Sequence, residues 1–211
     1  MSSLRSSSPT SARSARTRLR ARAASFALLA LLAALLLAAC GESETRVTTG
    51  TYNGASGKNA PYLNVGPLIY EVQISRELNP YNSEDAYYLQ GLTPAQRELH
   101  PGEEWFGVFM QVYNKTSTPH PIATDITISD TEGITYRPVA FGPANNFAYR
   151  NQTVPGNGQI PRPNTVAANG PTQGALLLYK IKIVSLDNRP LTLKIVDPTD
   201  LAQTASAELD V

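Results

Sequence analysis

The sequence predicts an all-β fold, an antiparallel β-sandwich of about seven strands that follows an export signal and a flexible tether. From residue 64 onwards, short apolar runs with a two-residue period alternate with clusters of Pro, Gly and Asn. Short strands between regular turn signals are typical of a β-sandwich. Residues 64–211 are also numerous enough to bury one core without a disulfide, and the single cysteine of the 211 residues precedes them.

The N-terminal segment has the pattern of a secretory signal. Residues 1–22 carry six arginines and no acidic residue, and residues 23–39 are uncharged and almost entirely Ala and Leu. This order of a basic segment, an apolar segment and small residues is typical of an export signal. The apolar segment ends in Leu37-Ala38-Ala39-Cys40, which resembles the bacterial lipobox at all four positions. The resemblance implies that residues 1–39 are removed and that Cys40 is lipidated.

Two other interpretations of this segment are a permanent transmembrane anchor and an ordinary cleaved signal with an incidental cysteine. Seventeen uncharged residues are at the short end for a spanning helix, which needs about 20. The complete lipobox match favours the lipoprotein. Two or more acyl chains would anchor the protein stably where one would be marginal. We therefore expect a cell-membrane protein on the extracytoplasmic face, with an outer membrane as an alternative location.

The charge of the exported chain excludes one class of partner. Six of the 18 basic residues leave with residues 1–39, so 12 basic and 17 acidic side chains remain and the net charge becomes about −5. This balance argues against nucleic acid and against adhesion to an anionic lipid surface. Residues 40–63 contain the lipidated cysteine and a segment rich in Gly, Ser, Thr and Asn, which predicts a flexible linker.

Seven apolar runs are predicted as strands: 68–75, 105–113, 122–128, 134–139, 175–184, 191–196 and 205–211. A weaker strand is predicted near 164–168. Turns are predicted at 130–133 and 187–190 from their Asp, Asn, Gly and Pro residues. The two strongest runs should supply the core, and we expect five residues to lie between the sheets: Val108, Met110, Leu177, Tyr179 and Ile181. One short helix is predicted, with Thr93 as N-cap, Pro94 at its first position and Gln96 at its third.

Four segments together resemble a known family. They are GPLIYEVQISREL, LHPGEEWFGVFMQVYNKTSTPHPI, ITISDTEGITYRP and NGPTQGALLLYKIKI. Their order is similar to the immunoglobulin-like domain of bacterial surface lipoproteins in domain-of-unknown-function family 4352, over roughly residues 65–196. The resemblance implies an immunoglobulin-like sandwich outside the cytoplasm. It supplies no catalytic residues, and the proline-rich stretch 159–164 departs from the family pattern.

No residues form a recognisable catalytic motif, so we expect a protein that is not an enzyme and uses no cofactor or metal. His100 and His120 are the only histidines, and each is next to proline. A metal site of His100 with Glu103 and Glu104 is an alternative to a solvated turn, but zinc prefers three or four fixed ligands. A calcium site at Asp130 and Glu132 is an alternative to a hairpin turn, but the loop lacks the ligand series of a calcium hand.

The connection between Glu77 and Glu104 is the candidate binding region. Connections in compact domains usually have about 4–6 residues, and longer ones are often functional. Three tyrosines are its candidate binding residues: Tyr81, Tyr87 and Tyr88. Either they cap one end of the sandwich, or some of the three stay exposed beside Glu84 and Asp85 as a contact surface.

Three functional classes follow from these observations. We expect a non-catalytic binding module, with the membrane as one partner through Cys40 and an envelope protein or glycan as another. The alternatives are a purely structural envelope component and a divergent enzyme. An exposed aromatic cluster would favour the first class, and a pocket of convergent titratable groups would favour the third.

Overall fold

The computed structural model describes residues 43–48 and 62–209, and these form a β-sandwich, as predicted. The strands are β1 (Ser43–Thr48), β2 (Tyr62–Val65), β3 (Leu68–Leu78), β4 (Glu103–Asn114), β5 (His120–Pro121), β6 (Asp125–Ser129), β7 (Thr135–Tyr136), β8 (Thr153–Val154), β9 (Gln159–Ile160), β10 (Ala175–Lys182), β11 (Leu191–Val196) and β12 (Gln203–Leu209). Four short helices are α1 (Ser83–Tyr88), α2 (Pro94–Arg97), α3 (Val166–Asn169) and α4 (Ile183–Asp187). No helix among the described residues is long and apolar enough to cross a membrane.

Two sheets form the sandwich. The first, sheet A, has the order β1-β12-β11-β6-β7, and the second, sheet B, has the order β10-β4-β3-β2 with β9 paired to the end of β4. All pairings within the two sheets are antiparallel except β1 with β12, which run in parallel with Ser43 opposite Gln203. A separate pair, β5 with β8, is also antiparallel. Short strands between turn residues therefore build the predicted architecture.

The main core lies between the two sheets, and the predicted core residues are confirmed. Val108, Met110, Tyr179 and Ile181 have no exposed surface, and Leu177 is 4% exposed. They pack in one cluster with apolar residues of both sheets. Alternation along β4 explains the choice of face, because side chains two residues apart point to the same side of a strand.

Several element predictions differ from the structure. Residues 43–48, expected to be part of a flexible linker, form β1, and residues 164–168 contain the start of α3 instead of a strand. The run 134–139 contributes only Thr135–Tyr136, and the run 122–128 becomes a strand only from Asp125. Strand propensity depends strongly on context, so an apolar or polar run alone does not determine which of its residues pair in a sheet.

The unpaired edge of β10 is covered by a neighbouring loop. The Val139 N–H donates to the Leu178 carbonyl (2.7 Å), and the Tyr149 N–H donates to the Leu176 carbonyl (2.9 Å). The Leu176 N–H in turn donates to the Phe147 carbonyl (2.7 Å). Irregular backbone thus satisfies groups that an edge strand would otherwise expose.

The two ends of the sandwich carry different loops. At one end, called the Asp197 end, the β2–β3 turn at Gly66 meets the turn 197–202 between β11 and β12. Gly66 has φ +57°, and a Cβ there would lie 1.8 Å from the Asp197 Oδ2 atom, so a side chain does not fit. β3 runs from this end to the connection 79–102, which defines the other end, called the connection end.

Candidate binding cleft

The connection 79–102 folds onto the outer face of sheet B and forms a second apolar cluster there. Outward-facing residues of β4 and β10 supply its base, and residues of the connection cover them. The buried members are Leu78, Tyr88, Leu89, Leu92, Trp105, Phe109, Phe147, Ala167, Leu176 and Leu178. A strand that is apolar on both faces, as the sequence of β4 indicates, is therefore covered from both sides.

Helix α1 was not expected from the sequence, and two polar residues fix its position. The Asn82 side chain caps it by accepting from the Glu84 N–H (2.8 Å). Asp85 forms an ion pair with Arg76 of β3 through two contacts of 2.5 and 3.1 Å, and it accepts from the Asn79 N–H (2.8 Å). Burial alone would raise the pKa of Asp85, but these donors outweigh it and hold the pKa below its usual value. Side-chain capping and a paired charge therefore hold a helix too short to be stable alone.

Helix α2 is the predicted helix, and its capping is confirmed. The Thr93 hydroxyl accepts from the Gln96 backbone N–H (3.3 Å), and the Gln96 side-chain Oε1 accepts from the Thr93 backbone N–H (2.9 Å), which is a capping box. Gln96 also donates to the Ala140 carbonyl (2.8 Å), and Arg97 donates to the Leu89 carbonyl (3.1 Å). These bonds connect α2 to the rest of the fold.

An open cleft of about 370 Å³ lies between the two helices and the sheet. Most of its lining is apolar or aromatic, and one arginine is at its rim; the lining residues are Pro80, Tyr81, Ala86, Leu89, Arg97, Leu99 and Trp105. Trp105 is almost fully buried, and the Lys180 ammonium lies 5.3 Å from the centre of its ring. Lys180 also donates to the Glu98 carbonyl. A concave apolar surface with a few polar groups is the usual form of a binding site.

The three candidate tyrosines have three different environments. Tyr81 is 96% exposed at the rim of the cleft. Tyr87 is 43% exposed and makes an edge contact with Phe147 at 5.5 Å between ring centres. Tyr88 is 3% exposed and packs edge-on against Phe109 and Phe147, at 5.0 and 4.8 Å. Tyr88 is therefore a covering residue, because its ring lies on the apolar outer face of β4, and of the three only Tyr81 and Tyr87 are exposed.

Acidic groups surround this end of the molecule. Glu77, Glu84 and Glu98 are all exposed. Burial, together with the nearby charge of Glu77, raises the pKa of the Glu104 carboxyl. The Glu104 Oε1 atom is buried and has no hydrogen-bond partner. Four cations lie at the same end as these carboxylates: Arg76, which is paired with Asp85, and Arg97, Lys180 and Lys182.

The metal alternatives gain no support from the geometry. The exposed His100 donates its backbone N–H to the Glu103 carboxylate (2.9 Å), and Asp130 accepts from the backbone N–H groups of Glu132 (3.1 Å) and Ile134 (2.9 Å). The segment around Asp130 is therefore a hairpin turn, as predicted. No three His, Cys, Asp or Glu side chains within residues 62–209 are grouped closely enough to hold a metal ion.

The predicted lipidation site, Cys40, lies outside the described residues. Three features of the structure were not predicted from the sequence: α1, the Arg76–Asp85 pair, and the cleft that Trp105 and Arg97 help to line. An Asn before three helix-compatible residues, two of them acidic, was the available signal for α1. The ion pair and the cleft have no signal in the sequence, because their members come from different elements.

Comparison with known proteins identifies similar folds of low sequence identity. No family model and no curated protein matches the chain. Among solved structures, it is similar to yjhA of Bacillus subtilis (12% identity, 71% of this chain, 97% of that chain, TM-score 0.45). It is also similar to an uncharacterised β-sandwich protein of Clostridium difficile (9% identity, 80% and 96%, TM-score 0.43). A third is ycdA of Bacillus subtilis, described as a proposed lipoprotein (7% identity, 72% and 39%, TM-score 0.45). The match spans about two fifths of the ycdA chain.

Proposed function

We propose that this protein is an exported, lipid-anchored lipoprotein whose β-sandwich acts as a non-catalytic binding module of the cell envelope. The lipobox at Cys40 supports the anchor, and the resemblance to the surface lipoproteins of family 4352 supports the location. The function is binding rather than catalysis, because the cleft is lined mainly by apolar side chains and one arginine. A lining of this kind can bind an apolar group but supplies few side chains for acid–base or nucleophilic catalysis.

One observation carries the binding proposal: Tyr81, almost fully exposed, stands at the rim of an apolar cleft. Tyrosine brings a large contact area and a hydroxyl at little cost in rotamer entropy. Helix α1, which supports this surface, is held in place because the Asp85 carboxylate accepts from both Arg76 and the Asn79 N–H. A partner therefore meets a prearranged site.

The partner that fits best is a protein segment with an apolar side chain and an adjacent basic group. The cleft would take the apolar side chain, and the surrounding Glu77, Glu84 and Glu98 would attract the basic one. A glycan would stack on the exposed ring of Tyr81 and donate its hydroxyls to carboxylates, but it has no apolar side chain to fill the mainly apolar cleft. The protein partner is therefore our choice.

Photocrosslinking on intact cells tests this proposal. A photoreactive phenylalanine analogue replaces Tyr81, and the matched control carries it at Tyr62, which is 47% exposed on β2. We expect a discrete protein adduct from position 81 only. Glycan adducts alone would contradict the choice of partner, and equal labelling at both positions would favour the purely structural alternative.

A second measurement separates contact from stability. With the crosslinked partner purified, Tyr81→Ala should weaken binding about tenfold or more, as expected for a hot-spot residue, and leave the melting temperature unchanged. Tyr88→Ala should lower stability by about 3–5 kcal/mol, because it removes a buried ring. Unchanged binding by Tyr81→Ala would exclude the cleft as the site.

A further inference from the structure

The first strand begins close to the proposed lipid anchor. β1 starts at Ser43, three residues after Cys40, and pairs in parallel with β12, so that Ser43 lies opposite Gln203. Three residues can span at most about 11 Å. If Cys40 is lipidated, the acyl chains leave the sandwich at the Asp197 end, where β12 begins. The linker predicted at 40–63 therefore does not separate the anchor from the sandwich. Its residues 43–48 form β1, and residues 49–61 connect β1 to β2.

The turn 197–202, which precedes β12, holds Leu201 at the surface. The Asp197 Oδ1 atom accepts from the Thr199 N–H (2.7 Å), the Thr199 hydroxyl (2.6 Å) and the Asp200 N–H (2.8 Å). The Gln203 N–H closes the turn by donating to the Asp200 carbonyl (2.9 Å). Leu201, two residues from the partner of Ser43, remains 72% exposed. Pro198 and Ala202 beside it are also exposed.

Two carboxylates at this end have partners within the protein. The two Asp200 carboxylate oxygens accept from the Ala202 N–H (3.1 Å) and from the Gln203 side chain (3.0 Å). Asp125, at the neighbouring start of β6, pairs with Arg137 at 2.6 Å. The exposed Leu201 is the apolar group of this tip, and an apolar side chain suits a lipid boundary better than a charged ligand.

We propose that the Asp197 end rests on the membrane, with Leu201 inserted at the boundary between headgroups and acyl chains. This proposal rests on the lipid anchor of the proposed function. β3 spans the sandwich in 11 residues, or roughly 33 Å at about 3.3 Å per residue. The cleft, which lies near the start of β4 at the connection end, is then far from the bilayer, where a partner can reach it.

Site-specific fluorescence on the lipidated full chain tests this orientation. Because the Cys40 thiol is alkylated in a lipoprotein, an introduced cysteine is the only one that reacts. An environment-sensitive dye is attached to Leu201→Cys, and the matched control is Tyr81→Cys at the connection end. Both proteins are reconstituted into phosphatidylcholine vesicles, with and without nitroxide-labelled lipids.

We expect a blue shift of the emission and strong nitroxide quenching at position 201, and neither at position 81. Equal spectra at the two positions, or a shift at position 81 alone, would overturn the orientation. Flotation of the same vesicles reports the anchor separately. A chain that floats without a shift at position 201 refutes only the orientation, whereas a chain that does not float refutes the anchor and the orientation with it.

Discussion

At the scale of single residues, the core is where the structure permits the sharpest expectation. Val108 has no exposed surface and lies opposite Leu177 in the β4–β10 pair. Val108→Asp should destabilise the domain by about 4 kcal/mol or more, because it buries a carboxylate without a partner. Urea unfolding measures the loss, and a variant too unstable to purify agrees with the expectation.

Val184→Asp is the matched control for that substitution. Val184 lies in α4 and is 52% exposed, so the same chemical change should alter stability by no more than about 0.5 kcal/mol. Similar unfolding of the two variants would show that Val108 does not lie between the sheets. The pair separates the effect of position from the effect of charge.

The sequence predicts residue burial well along β4 and less well in the connection. Alternation in β4 is an intrinsic pattern, so Val108 and Met110 could be assigned to one face without a structure. Tyr81, Tyr87 and Tyr88 have no such pattern. Their exposures of 96%, 43% and 3% depend on where α1 lies on the sheet, and that position comes from contacts distant in sequence.

At the scale of elements, the attachment of α1 to β3 should depend on pH. The pKa of Asp85 is lower in the fold than its usual value of about 3.9. Its stabilising contribution is therefore complete above that usual value and is lost as the pH falls through the lower folded pKa. Asp85→Asn should cost about 1–3 kcal/mol at pH 7, and the cost should shrink under acidic conditions.

Unfolding of parent and variant at pH 7 and near pH 3 measures this difference. Asp187→Asn, at an exposed carboxyl at the end of α4, should unfold like the parent at pH 7. A cost for Asp85→Asn that is the same at both pH values would contradict the role of the ion pair with Arg76.

Elements with strong local signals were predicted, and elements that depend on partners were not. The helix after Thr93 could be predicted because its capping box lies within four consecutive residues. β1 has no such signal, because Ser43–Thr48 carries one valine and takes its conformation from pairing with β12. A polar segment adopts strand geometry when a sheet edge offers hydrogen bonds, and composition alone does not reveal that edge.

At the scale of the whole molecule, membrane attachment should depend on one atom, the Cys40 sulfur. Cys40→Ser should block lipidation and processing, so the variant should keep residues 1–39 and should lack the acyl mass of the parent. Detergent partitioning and intact mass of the two proteins measure this. A serine variant that is cut and partitions like the parent would refute the lipoprotein interpretation.

The covered edge of β10 bears on how neighbouring copies would interact if the protein is anchored to a membrane. Anchored molecules diffuse in two dimensions and collide side by side far more often than the same number in solution. An open strand would turn such collisions into sheet-to-sheet pairing between neighbours. The backbones of Val139, Phe147 and Tyr149 already hold the hydrogen bonds that a neighbour would need at this flank, so crowding should leave adjacent copies separate there.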